Sequence, residues 1–334
     1  VKRALAILAA GAELLLVGAP GPSGATQSAG GSAGKPPATL SQTGLYLARA
    51  PGVDPRNLAY SPQYPLWSDG AGKSRRAFIP PGNRIDAKNA DAWVFPVGTK
   101  FWKEFAFGGR KVETRFIWRA TARRWVFATY LWNDAQSEAV LAPADGVPEY
   151  YEIAPGKRHT IPGVRDCRNC HEDERTPLLG FNALQLSTDR DPLAPHAEPL
   201  LPGMVTLRTL LERGLVSPVR EELLTHPPQI PGKPRPRALL GCFTTNCGSC
   251  YRTTGSLAFL ALDFTPAPGV PDEASEPGFE TTVGRTGTWG IPGVPAGESR
   301  RIQPGAPEMS SVFYRMNSPR ASSQKPPLGS VLVD

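Results

Sequence analysis

The sequence predicts an α+β chain, with a β-rich N-terminal domain over residues 40–155 followed by a mainly α-helical region. Three observations carry this reading. From about residue 57 to 153, aromatic and β-branched residues alternate with polar ones, the period of a strand. Within that stretch Gly108-Gly109 separates two alternating runs, and a two-residue hairpin turn needs the positive φ angles that glycine supplies. Beyond residue 155 leucines at helical spacing replace the alternation. A chain of 334 residues can bury more than one core, and its 37 prolines and 34 glycines predict many turns rather than long helices.

Taken in order, residues 1–25 read as an export signal. Lys2 and Arg3 give a short positive start, Ala4 to Val17 is mostly Ala and Leu, and Ser23-Gly24-Ala25 offers small residues for cleavage. The alternative is an uncleaved anchor. The apolar run is interrupted by Glu13 and is shorter than the roughly 20 residues that span a bilayer, and no later segment is apolar enough to do so. A periplasmic or otherwise exported protein, with no stable membrane span after cleavage, is therefore expected. Residues 26–39, rich in Gly, Ser, Ala and Pro, form a flexible spacer.

In the β-rich domain, KFWKEFAF, Gly108-Gly109 and RKVETRFIWRA form the predicted hairpin, with Val112, Thr114, Phe116 and Trp118 on one face. Trp125, Phe127, Thr129 and Leu131 repeat the alternation as a third strand. Six of the 7 tryptophans lie in or near this region. They are expected to form its core, with an aromatic ligand box as the alternative. Residues 57–153 are expected to fold autonomously.

Leu207, Leu210 and Leu211 then mark a helix stopped at Gly214, and Pro218 opens a second short helix through VREELL. A proline-rich linker over 227–236 separates a segment at 156–226 from one at 237–334, the latter with a helical patch at 311–316. The formal charge of +7 is spread along the chain without a basic run. It solvates the surface or assists docking to an acidic partner, and no motif for nucleic acid accompanies it.

The chemistry concentrates in the cysteines. Of the 5, Cys167 and Cys170 sit two residues apart, as do Cys247 and Cys250, while Cys242 stands alone. Cys167-Arg168-Asn169-Cys170-His171 is a CxxCH sequence. Its two thiols match the vinyl groups of haem, with which they form thioethers, and the next residue presents an imidazole to the iron. Three alternatives compete. A zinc site shared by both pairs would need an unusually long intervening stretch, a redox dithiol would need a thioredoxin-like βαβ context, and plain disulfides leave His171 unexplained. The second pair, followed by Tyr251 in place of His, reads as a site that has lost haem and holds a disulfide, with Cys242 as a further partner. For the first haem, Met204 and His159 are the candidate distal ligands, with His196 behind them. The region after residue 155 is thus expected to be cytochrome c-like.

Further stretches carry a family resemblance. They are Tyr64 to Gly70 (YPLWSDG), Trp93 to Lys100 (WVFPVGTK), Asp166 to His171 and Gly180 to Leu186 (GFNALQL), then Asn246-Cys247-Gly248, Gln303-Pro304-Gly305, Tyr314-Arg315-Met316 and Pro326 to Gly329 (PPLG). Together, over roughly residues 40 to 334, the chain resembles a bacterial family of exported two-haem c-type cytochrome-like proteins. The resemblance implies an extra β-rich N-terminal domain followed by two haem sites. Cys167, Cys170 and His171 match the first site without change. Cys247 and Cys250 match the second site's thioether cysteines, but Tyr251 stands where that site has His, and Lys325 where it has a Met suited to distal ligation. The resemblance also implies a closing helix beyond Asp334. With these departures, one haem c is expected and not two.

The function these observations predict is electron transfer through covalently bound haem, with a periplasmic dehydrogenase or another cytochrome as redox partner. No acid/base pair, nucleophile triad or phosphate loop is recognisable, so the chain reads as a carrier rather than a catalyst. The rivals are an exported ligand-binding module, in which the aromatic β domain binds and the haem site is structural or vestigial, and an inactive duplicate.

Overall fold

The computed structural model describes residues 34–90, 92–172, 176–218, 220–295, 297–318, 320, 323–325 and 329–333. The expected export signal and most of the spacer lie outside them. Nine strands come first: β1 Leu58–Ala59, β2 Gly72–Phe78, β3 Ile85–Asp86, β4 Lys100–Phe107, β5 Arg110–Arg119, β6 Trp125–Trp132, β7 Ala139–Leu141, β8 Val147–Ala154 and β9 Lys157–Ile161. Six of them form one antiparallel sheet in the order β1-β2-β4-β5-β6-β7, and β8 pairs with β9 as a separate hairpin.

The hairpin the sequence predicts is β4–β5. Gly108 and Gly109 take φ of 55° and 80°, so both turn residues are left-handed, the twist that suits a two-residue turn. A register shift between Phe105 and Ala106 then carries the ladder to Lys103 opposite Arg115 and Phe101 opposite Ile117. The third strand of the predicted meander is β6.

Both faces of the sheet are covered. One presents Trp102, Phe116, Ala128, Tyr130 and Trp132 to Leu40 and Leu45 from the start of the described chain. The other presents Ala77, Phe101 and Ile117 to Leu178, Phe181, Leu186, Leu207 and Leu210. Phe181 is fully buried at the centre of this second face. Its ring lies 4.7 Å from Tyr60, 5.1 Å from Phe101, 5.9 Å from Trp93 and 6.0 Å from Phe95, mostly edge-on. The short strand β10, Val216–Ser217, also pairs in parallel with β3. The main core therefore runs across the compositional boundary at residue 155.

The sequence predicts a mainly α-helical region after that boundary; the described residues hold short helices joined by irregular chain. These are α1 Val164–His171, α2 Leu207–Glu212, α3 Glu222–Thr225, α4 Pro234–Asn246, α5 Pro277–Glu280 and α6 Ser311–Met316. Proline cannot continue a helix and glycine ends one, and both are frequent here. Gly214, at φ 63°, stops the predicted leucine helix, whose start Thr206 caps by accepting the Thr209 N–H at 3.3 Å. The second predicted helix begins at Glu222 and not at Pro218. The predicted linker over 227–236 ends early, because Pro234 opens α4 from its first position, where a missing N–H costs nothing. Among the described residues no helix is long and apolar enough to cross a membrane.

Candidate functional site

Cys167, Cys170 and His171 lie together on α1. The helix starts at Gly163, whose N–H donates to the Asp166 carboxylate at 2.9 Å. A Cβ at Gly163 would meet the backbone of Ala144 and Asp145 at 2.7–2.9 Å, so only glycine lets the helix start this close to the chain before β8. The Val164 N–H donates to the Ala144 carbonyl at 2.8 Å and fixes the same junction. From there α1 packs on β6, with the His171 ring 5.6 Å from that of Phe127.

His171 is held in one tautomer. Its Nδ1 donates to the Pro177 carbonyl at 2.7 Å, and among the described residues its Nε2 has no hydrogen-bond partner. Burial lowers its pKa to about 4 against the opposing pull of that carbonyl, and the charges of Lys103 and Arg115 lower it further. The imidazole is thus neutral at ordinary pH, the form that ligates a metal. Burial also raises the Cys167 thiol, while the charge of Arg115 acts to lower it.

A cavity of about 110 Å³ opens beside His171, with Tyr60, Phe101, Arg75, Lys103 and Arg115 among its walls. A second, of about 290 Å³, lies between residues 176–185 and 244–254 and shares Leu178, Leu179, Gly180 and Thr245 with the first. The cysteine sulfurs line neither.

The second cysteine pair follows α4. The Cys247 N–H donates to the Phe243 carbonyl at 2.8 Å, and a Cβ on Gly248 would meet the Thr244 carbonyl oxygen at 2.4 Å, which fixes glycine between the cysteines. Asn246 ties this end of α4 to the β-rich part, its Oδ1 accepting the Trp67 N–H at 2.8 Å. The fold brings the two motifs together, close enough for the Cys170 and Cys250 thiols to perturb each other. That interaction pushes the Cys170 pKa up, with burial adding to it, and pulls the Cys250 pKa down, helped by Ser249 and by the charges of Lys325 and Arg252. Burial raises Cys247 to about 12. Cys242 is buried on α4, 3.5 Å from the Asn246 amide, and none of the five cysteines is in a disulfide. Among the described residues no three His, Cys, Asp or Glu side chains are arranged to hold a metal ion, so the shared four-thiolate site is not assembled.

The two departures of the second site touch each other. Tyr251 is buried beside Phe243 and Phe264, and Lys325 places its ammonium 4.8 Å from the centre of the Tyr251 ring.

The structure does not bring the candidate distal ligands to the His171 cavity. His159 is buried, with Nε2 3.0 Å from the Glu113 carboxylate. The Met204 sulfur accepts the Leu201 N–H at 3.4 Å, and His196 lies against Trp67 at 4.5 Å. The groups that do face the cavity with His171 include Arg75, Lys103 and Arg115, which the sequence reading did not single out. For Lys103 and Arg115 the signal was the alternation of charge with aromatic residues in the hairpin, which the register shift after Phe105 obscured.

The donor set suits a covalently attached haem: two thiols and an imidazole on one helix, the imidazole neutral with Nε2 free. Cofactor sites span roughly 300–1,000 Å³, so a haem at His171 needs both cavities and a shift of the Leu178–Gly180 wall between them. No protein family matches the chain, and no curated protein or solved structure is similar to it.

Proposed function

We propose that this protein is an exported c-type cytochrome that carries electrons through one haem, held by Cys167 and Cys170 as thioethers and by His171 as proximal ligand. The observation that carries this reading is His171 itself. It follows the cysteine pair on the same helix, its Nδ1 proton is engaged by Pro177, and its free Nε2 is in the state that ligates iron. The haem supplies a one-electron couple between ferrous and ferric iron. The chain's own part is to hold the imidazole neutral and oriented, and to cover it with Phe127 and the aromatic wall of the cavity.

The contact between Lys325 and Tyr251 supports one haem rather than two. Where the resembling family has a His and a Met suited to face an iron, this chain has two side chains packed on each other. A periplasmic dehydrogenase or another cytochrome is the partner such a carrier requires. The competing reading, an exported binding module, draws support from the cationic wall of the cavity, and a redox-silent protein that binds a small ligand would favour it.

The test is haem-linked peroxidase staining after denaturing electrophoresis, on protein exported in the presence of a haem-attachment system. The stain stays with the band and vanishes in Cys167→Ser/Cys170→Ser, and a pyridine haemochrome assay gives one haem per chain. An unstained wild-type band overturns the assignment.

A further inference from the structure

Three adjacent strands place a cation at the same level of the sheet. Arg75 on β2 lies opposite Lys103 on β4, which lies opposite Arg115 on β5. Side chains directly opposite in an antiparallel pair stand about 5 Å apart, and like charges there are destabilising. All three line the cavity of about 110 Å³ that His171 also faces.

The outer two are compensated. Arg75 forms a two-point ion pair with Glu198, one contact at 3.0 Å, and Arg115 donates to the Glu113 carboxylate at 2.7 and 3.1 Å. Lys103, between them, has no carboxylate partner among the described residues; its ammonium lies over the Phe105 ring at 4.8 Å. The row thus holds one basic side chain more than it has carboxylates, enclosed by Tyr60, Phe101, Ile117, Leu178 and Leu179.

We infer that the Arg75–Lys103–Arg115 row is a carboxylate-binding site, in which Lys103 pairs with a monoanion seated in the cavity. One basic group without a carboxylate calls for one acidic partner, and the surrounding rings and aliphatic side chains suit a short hydrocarbon tail behind it. A phosphate dianion would need further donors, and the strand N–H groups beside Lys103 are already engaged in the sheet ladder. Burial first, and then the charges of Arg75, Lys73 and Arg115, hold the Lys103 ammonium well below its ordinary pKa, and a carboxylate seated beside it would favour the charged form again. Two sources offer this chemistry: a free short-chain carboxylate, and the propionate arm of a haem attached at Cys167 and Cys170. The site stands on the cavity and does not need the haem reading; the second source does.

The experiment uses the full chain as Cys167→Ser/Cys170→Ser, which cannot attach haem, and the exported wild type. Each is titrated by calorimetry at constant ionic strength with sodium butyrate and with neutral butyramide. The haem-free chain binds butyrate saturably and at least tenfold more tightly than butyramide. Adding Lys103→Met removes the preference and raises the melting temperature of the haem-free chain, whereas loss of a merely structural lysine would lower it. If haem-loaded wild type no longer binds butyrate, the propionate is the natural occupant; if it binds as the haem-free chain does, the occupant is a free carboxylate. Equal affinity for butyrate and butyramide in the haem-free chain overturns the proposal, whether or not the wild type carries haem. That comparison requires no change in the row itself, so it decides even if Lys103→Met fails to fold.

Discussion

Replacing Phe181 by alanine tests whether the β-rich part and the segment after residue 155 share one core. Phe181 comes from the later segment, yet its ring is fully buried among Tyr60, Trp93, Phe95 and Phe101 from the earlier one. A buried Phe→Ala change costs about 3–5 kcal/mol, and edge-on aromatic pairs add roughly 0.5–1.5 kcal/mol each without full additivity. Four such neighbours put the expected loss near the top of the range, about 4–5 kcal/mol. With a urea dependence of about 2–3 kcal/mol/M, the midpoint falls by about 2 M. The assay is urea unfolding followed by tryptophan fluorescence, because six of the 7 tryptophans report on the β-rich part. Phe313→Ala, at a ring 48% exposed on α6, is the control and leaves the midpoint in place. If the segment after residue 155 were a separate domain, Phe181→Ala would leave the tryptophan transition unmoved. That result would refute the shared core.

Two further outcomes follow from the site. In Tyr251→His/Lys325→Met the pyridine haemochrome assay still gives one haem per chain, because residue 251 is buried against Phe243 and Phe264; a second haem would show that only the ligands had been lost. Glu113→Gln leaves the Arg115 charge without its carboxylate and lowers stability by about 3–5 kcal/mol in thermal or urea unfolding. Burial raises the Glu113 pKa, but Arg115 and His159 outweigh it and hold the carboxyl below its ordinary value. Its contribution is therefore present above about pH 4.3, the unfolded value, and is lost as pH falls through the lower folded value. Melting temperature against pH should show that acid-side loss in the wild type and a flatter curve in Glu113→Gln.

The parts of the fold governed by local rules were legible in the sequence. Alternation and Gly108-Gly109 gave the β4–β5 hairpin and β6, and the leucine spacing with Gly214 gave α2. Residues fixed by distant partners were not. His159 reads as a candidate distal ligand, but packing of the β8–β9 hairpin on the main sheet sets it against Glu113, 46 positions away. The cationic row needed the register of β2, β4 and β5, and the shift after Phe105 breaks the simple count from the turn. Met204 is held by its own turn through Leu201. The five residues from Cys167 to His171 were legible as a motif, while the contact between Cys170 and Cys250 depends on how α4 is tied to Trp67 by Asn246.

That contact couples the two cysteine pairs chemically. A Cys170 sulfur in a thioether cannot also form a disulfide, so attachment of haem at the first site takes Cys170 away from Cys250. Conversely, an oxidant reaching the haem-free chain finds two neighbouring thiols. With a small-molecule disulfide such as oxidised glutathione, the Cys250 thiolate attacks and forms a mixed disulfide; Cys170 then displaces the second glutathione, so two thiols become one disulfide and two molecules of reduced glutathione leave. Cys170 is then unable to form its thioether. Oxidation of the haem-free chain is therefore expected to lower its mass by about 2 Da and to yield a proteolytic fragment joining Cys170 to Cys250. Cys250→Ser removes that crosslink and raises the fraction of chains that carry haem when export is oxidising. Equal haem loading of wild type and Cys250→Ser under both oxidising and reducing export would show that the two motifs meet without competing for Cys170.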